Sequence, residues 1–388
     1  MLTPIAHAAM LTFGVVMALV GAVVPVVTQR IALDLGTIGT LFLAMNGAML
    51  AASLALGMVV DRVGLRAPLA TGAGLVGTGL LLVAMASSPA LLVIGVAALG
   101  AGGGALNGAA NILVADLHAG SADKAAALNR LGVYFGIGAL LVPLTVGTVM
   151  AALGLATLLV GAAALCVTLA LVALGATFPV ARQRHGWPLA RVGTFAREPV
   201  ILGLALLLFF QSGNEFLLGG YVSSLLTREL GVSIPGASLW LAGFWAAIMV
   251  SRLGASRLLG HVDGASVVMV GAAGAALACL LLATAPTGMV AGAAALLAGV
   301  SLAPIFPTVL GQAGARFPEQ TGAVFGLLFT VALTGGMTMP WVAGHLASAA
   351  GLPAVFVLAL VNFVMVAACM HYARQGRSSR IGSSGSDR

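Results

Sequence analysis

Charge is scarce in this sequence. Ten acidic and seventeen basic residues make up 7% of 388, where a soluble domain carries roughly 25%. Hydrophobic residues make up 61%, and the mean hydropathy is +1.13. Such a chain is not a soluble globular protein; its solvent is lipid. Cysteine is scarce too: Cys166, Cys279 and Cys369 all lie in apolar stretches, which excludes a disulfide framework and leaves the redox compartment unread. Metal-ligand spacings, a nucleophile motif and a phosphate-binding loop are missing. The run "GAGGG" at 100–104 lies inside an apolar helix and lacks a Gly-Lys-Ser/Thr ending. These absences argue against an enzyme, a bound metal and a cofactor. The first apolar segment has no basic leader and no A-x-A cleavage site, so it reads as a retained helix rather than a signal peptide.

Abundant instead are glycine, at 53 residues, which suits close helix contacts in a bilayer, and long apolar segments. A span needs about 20 mostly apolar residues. Twelve such segments are expected near 5–28, 37–60, 67–87, 90–114, 127–151, 154–179, 200–226, 237–257, 265–285, 288–312, 321–346 and 352–373. A net charge of +7 raises nucleic-acid binding, but the placement of the charges decides against it. Alternating the loops between two sides leaves Arg30 and Arg228 on one side and the other fifteen basic residues on the other. That asymmetry puts both termini in the cytoplasm and the chain in the cytoplasmic (inner) membrane as a multi-pass protein.

The expected organisation is an N-terminal six-helix bundle at 1–180, a cytoplasmic linker at 181–199, a C-terminal six-helix bundle at 200–373 and a disordered cytoplasmic tail at 374–388, which sits near anionic lipid. The linker carries Arg182, Arg184, Arg191 and Arg197; with Trp187, Leu189, Val192 and Phe195 it is either an interfacial amphipathic helix or a plain loop. The halves share one spacing: "GALLVPLTVG" at 138–147 in the fifth segment and "GGMTMPWVAG" at 335–344 in the eleventh both read Gly, four residues, Pro, three residues, Gly. This points to an internal duplication.

Between the second and third segments stands "GMVVDRVGLRAPLA", residues 57–70. Gly57 would let two helices meet, Asp61 places a carboxylate where Arg62, Arg66 or a helix N-terminus can pair with it, and Gly64 supplies the tight turn. The spacing resembles the G-x-x-x-D-R-x-G-R-R/K signature of the major facilitator superfamily, with Leu65 where a basic residue is usual. Its second-half counterpart, "RLLGHVDG" at 257–264, keeps only Gly264 and a displaced Asp263. The resemblance implies an all-α membrane protein of twelve transmembrane helices in two six-helix bundles around a central cavity, a monomer working by alternating access. Gly57, Asp61, Arg62, Gly64 and Arg66 would form a conformational latch. "GGGALNGAANILVADL", "NRLGVYFGIGALLVP", "SLWLAGFWAAIMVSRL" and "LAPIFPTVLGQA" are similar to the fucose-permease-like, sugar-transporting branch. That branch often has a glutamate where this chain has Asn107.

Polar residues at membrane depth supply the candidate substrate site. Asn107 and Asn111 lie four apart on one face of the fourth segment; their amides suit sugar hydroxyls or interhelical hydrogen bonds. Asn46 and Asn129 are weaker candidates, and Asn362 reads as structural. Trp245 and Trp341 are candidates for stacking against a sugar ring, with packing as the plainer role. The densest cluster is "FFQSGNEFLLGG" at 209–220, where Gln211, Asn214 and Glu215 share a face. A charge at the bilayer centre costs on the order of 3 kcal/mol or more, so it faces a cavity, pairs or takes up a proton. No arginine or lysine is expected at the depth of Glu215, which makes it a proton carrier, a ligand for hydroxyls or an amine, or a structural acid.

The expected function is secondary active transport of a small polar solute, a sugar, with proton coupling through Glu215. A drug or metabolite/proton antiporter, in which Glu215 meets a cationic substrate, is the alternative. The partners are the substrate, protons and the bilayer, with no nucleic acid.

Overall fold

The computed structural model describes residues 2–118, 124–178, 198–258, 262–317 and 320–383; the linker expected at 181–199 lies almost wholly outside them. The described residues form helices and no strands: α1 (Leu2–Val27), α2 (Leu35–Val63), α3 (Arg66–Ala84), α4 (Pro89–Leu117), α5 (Lys124–Thr148), α6 (Met150–Leu153), α7 (Leu155–Gly175), α8 (Pro199–Arg228), α9 (Ile234–Leu258), α10 (Gly264–Ala283), α11 (Gly288–Leu302), α12 (Ile305–Arg316), α13 (Thr321–Ala350) and α14 (Pro353–Ser383). Among them are twelve spans long and apolar enough to cross a bilayer, α11 and α12 together making one and the single-turn α6 none. Each expected segment corresponds to one span. The last helix continues to Ser383, so the first ten residues of the expected tail are helical, and 384–388 lie outside the described residues.

The helix ends follow from local chemistry. Asp34 caps α2 by accepting from the Thr37 amide at 2.7 Å, and Ser88 precedes Pro89 at the start of α4 and accepts from the Leu91 amide. Gly64 ends α2 at φ +73°, a left-handed conformation that glycine adopts without strain, as its place in the loop predicted. The one interrupted span is explained by its prolines. Pro304 and Pro307 lack the N–H that an unbroken helix would donate to the carbonyls of Val300 and Ala303, four residues earlier, and the helix opens between Leu302 and Ile305.

The chain divides into two compact units, Met1–Gly186 with Gly219–Ala246, and Trp187–Leu218 with Ala247–Arg388. Thus the distal end of α8 and the start of α9 belong with the first six spans: Phe42 lies against Gly220 and 6.1 Å from the Tyr221 ring, and the Arg228 guanidinium donates to the Leu33 carbonyl at 3.3 Å. Small residues set the helix crossings. In the first unit a Cβ on Gly138 of α5 would strike the Leu11 carbonyl of α1. In the second unit a Cβ on Gly335 of α13 would strike the Phe209 carbonyl of α8. The two copies of the Gly/Pro spacing therefore make the same contact, each within its own unit, as an internal duplication requires. Large apolar side chains such as Leu165 and Val270 are exposed on the outer faces, which suits lipid.

Candidate functional site

The α8 face carrying Gln211, Asn214 and Glu215 forms as expected, and all three are buried. The expectation that Glu215 has no basic partner is overturned. Arg252 of α9 donates from one terminal nitrogen to Glu215 Oε1 at 3.0 Å and Oε2 at 3.3 Å. Sequence counting missed it for a geometric reason. Glu215 is 16 residues before Gly231 in the α8–α9 turn and Arg252 is 21 after it, an offset of five residues or about 7.5 Å along antiparallel helices. Side chains lean toward their helix N-terminus and arginine is long, so Arg252 reaches back across that offset.

The same side chains take up the carbonyls that the prolines leave free. Ser251 Oγ donates to the Val300 carbonyl at 2.7 Å, and Arg252 Nε donates to the Ala303 carbonyl at 3.4 Å. Gln211 Nε2 donates to the neighbouring Leu302 carbonyl at 3.1 Å. The opened turn of α11–α12 is thus held by α8 and α9 through three side chains, one of which also grips Glu215. Neither Ser251 nor Arg252 stood out in the sequence. The usable signal was "LAPIFP", whose prolines predict orphan carbonyls in need of donors.

Asn214 serves a different contact. Its Nδ2 donates to the Ala359 carbonyl at 3.0 Å, and Asn362 Nδ2 donates to Asn214 Oδ1 at 2.9 Å, all buried between α8 and α14. Asn362 and Asn214 thus bind each other and the α14 backbone. Asn214→Leu should lower stability by about 1–2 kcal/mol, because the buried Asn362 amide loses its acceptor. A thermal unfolding curve within about a degree of wild type would contradict this assignment.

In the first unit, Asn107 and Asn111 share an α4 face and are half-buried. Asn111 Nδ2 donates to the Asn107 backbone carbonyl at 2.9 Å and side-chain oxygen at 3.0 Å, with Met10 Sδ 4.0 Å away. On a neighbouring face His7 of α1 stacks on Tyr134 of α5 at 4.1 Å, a pair the sequence did not announce. Trp245 is buried against Gly219 and Phe244, its indole N–H unpartnered among the described residues.

At the α2–α3 junction, Asp61 in the last turn of α2 is half-buried, Arg62 beside it is exposed, and Arg66 at the start of α3 donates to the Ala176 carbonyl at the end of α7 at 3.0 Å. The close approach expected at Gly57 is absent: among the described residues a Cβ there meets nothing within 4 Å. In the second-half counterpart, Asp263 caps α10 through Ser266 and pairs with Arg374 at 2.6 Å. Slight burial pushes the Asp263 carboxyl up, but the Ser266 hydrogen bonds and Arg374 outweigh it and hold the group below its usual value.

A family model described as Major Facilitator Superfamily matches the chain twice, over residues 6–211 and 204–386. The chain belongs to the Major Facilitator Superfamily. It is a multi-pass membrane transporter and not an enzyme. The two matches meet near the start of α8, where the duplication read from the sequence would divide the chain. No curated protein matches it. Among solved structures, a nucleoside transporter, NupG, superposes with a TM-score of 0.80 at 15% identity over 96% of this chain and 100% of that one. A D-xylose–proton symporter does so at 0.77 and 18% over 96% of each chain. The E. coli fucose:proton symporter FucP does so at 0.66 and 18% over 96% and 98%. At such identities these likenesses establish the fold alone, and the resemblance to the fucose-permease-like branch stands at that level.

The transporter's remaining sequence candidates are Asn46, Asn129 and Trp341. Asn46 is buried and donates to its own helix at Phe42, Asn129 is exposed, and Trp341 is exposed and lies 4.5 Å from His345.

Proposed function

We propose that this transporter moves a small polar solute of the sugar type by alternating access, and that Glu215 carries the coupled proton. The observation that carries the reading is the Glu215–Arg252 pair beside the opened α11–α12 turn. Among the described residues this carboxylate has a single cationic partner, and that partner also holds a helix break. Taking a proton onto Glu215 neutralises it and frees one terminal nitrogen of Arg252, so protonation is tied to how firmly α9 grips α12. The half-buried Asn107–Asn111 pair offers amide donors and acceptors for hydroxyls, and sugar and nucleoside transporters are among the proteins that share this fold. The antiporter alternative loses support, because Glu215 already faces a cation that would compete with a cationic substrate.

We place both termini in the cytoplasm, as the arginine distribution suggests, with the protein a monomer in the inner membrane. Reconstituted into liposomes, it should accumulate a radiolabelled polar solute when an inward proton gradient is imposed and stop when the gradient is dissipated. Gradient-driven export of a cationic dye would favour the antiporter instead.

The α2–α3 junction acts on populations of states rather than on the site. Asp61→Asn should therefore lower the transport rate severalfold while leaving equilibrium affinity unchanged. An equal loss of binding, with unaltered conformational exchange, would count against a latch.

A further inference from the structure

The Glu215–Arg252 pair is asymmetric in a way that says more about the cargo. The Glu215 side chain is 11% exposed and the Arg252 side chain 32%. Arg252 spends Nε on the Ala303 carbonyl and Nη2 on Glu215; among the described residues its other terminal nitrogen, Nη1, makes no hydrogen bond. An exposed guanidinium within a span is tolerated where it meets water rather than lipid. Arg252, about one-third exposed, therefore keeps two N–H donors with no protein partner among the described residues. Guanidinium geometry matches a carboxylate, which it holds by two parallel hydrogen bonds.

Among the described side chains, the other charged groups on the elements around the pair stand away from it along the chain. Glu198 and Arg228 flank α8, Arg316 is in the last turn of α12, and His345 of α13 lies against Trp341. His371 and Arg374 of α14 are nine or more residues past Asn362, about 13 Å or more along that helix.

We propose that Arg252 anchors a carboxylate on the transported solute, making the cargo a hydroxyl-bearing organic acid rather than a neutral sugar, and that Arg252 trades Glu215 for this carboxylate as Glu215 takes up a proton. The inference rests on the reading of this cluster as the transport site. One cation cannot compensate two carboxylates in a poorly hydrated span, so the second enters with a proton. The balance is one proton and one carboxylate inward: the proton binds Glu215, the substrate carboxylate takes its place on Arg252, and at the other face both leave to water and the original ion pair re-forms. The step is electroneutral.

The test uses the purified full-length protein and matched probes, D-glucuronate and D-galactonate against D-glucose and D-galactose, with equilibrium binding measured at pH 5.5 and 7.5. An acid should bind roughly ten- to hundredfold more tightly than its neutral parent, the span expected of charge-assisted hydrogen bonds, and more tightly at pH 5.5. Glu215→Gln should keep acid binding and abolish its pH dependence. The double variant Glu215→Gln/Arg252→Gln removes both charges together, leaves no unpaired ion to upset folding, and should lose the preference for acids. Neutral parents binding as well as the acids, or the double variant keeping the acid preference, overturns the carboxylate anchor and leaves the sugar reading standing. Binding of neither class overturns both.

Discussion

Glu215→Gln should abolish uptake driven by a proton gradient, taking it to the level of empty liposomes, while substrate binding and counterflow persist. Glutamine keeps the shape of the side chain and an oxygen that can accept from Arg252, which now lies 3.0 Å from Glu215 Oε1. What it removes is the titration. Arg252 is about one-third exposed and keeps its hydrogen bond to the Ala303 carbonyl, so the protein should fold. Direct ligation of substrate by Glu215 predicts a different result, a loss of binding in the same variant. Unimpaired gradient-driven uptake would contradict both roles.

Gly335→Ala should be the most destabilising single-methyl change in the second unit, and Gly138→Ala should be comparably damaging in the first. A methyl group on Gly335 would stand against the Phe209 carbonyl, and one on Gly138 against the Leu11 carbonyl. Backbone cannot yield as a side-chain tip can, so α8 and α13, or α1 and α5, must move apart along their contact. The loss is expected to be about 3 kcal/mol or more, at the upper end of overpacking costs, and it should appear as a collapse of the monodisperse fraction on size-exclusion chromatography. Gly161, beside which a Cβ meets nothing within 4 Å, supplies the control: Gly161→Ala should be neutral or stabilising by up to about 1 kcal/mol. Equal behaviour of Gly161→Ala and Gly335→Ala would contradict the packing account.

The extent to which the sequence announced this structure follows the physics of each feature. The twelve spans were legible because a bilayer imposes one length and one polarity on every crossing. The duplication was legible in Gly138 and Gly335 because a close helix crossing tolerates few residue types. Glu215 was visible as a charge where charge is costly. Arg252 was not, because depth was judged from the position of Cα atoms while its charge sits at the end of a long, tilted side chain. Gln211 and Asn214 share the expected face, but a shared face does not tell whether the groove it lines holds solvent or another helix. The structure gives those two amides the carbonyls of Leu302 and Ala359. The partners of Gln211, Ser251 and Arg252 become predictable only once Pro304 and Pro307 are read as the cause of free carbonyls.

If substrate and proton meet at the Glu215–Arg252 pair, linkage makes the meeting measurable without transport. Proton uptake on substrate binding can be read with a pH-sensitive dye in weakly buffered solution, side by side for the wild-type protein and Glu215→Gln, with D-glucuronate as the probe. The wild type should take up close to one proton per bound ligand near neutral pH, and Glu215→Gln should take up none while still binding. No proton uptake by the wild type on binding, or the same uptake in both proteins, would contradict that meeting.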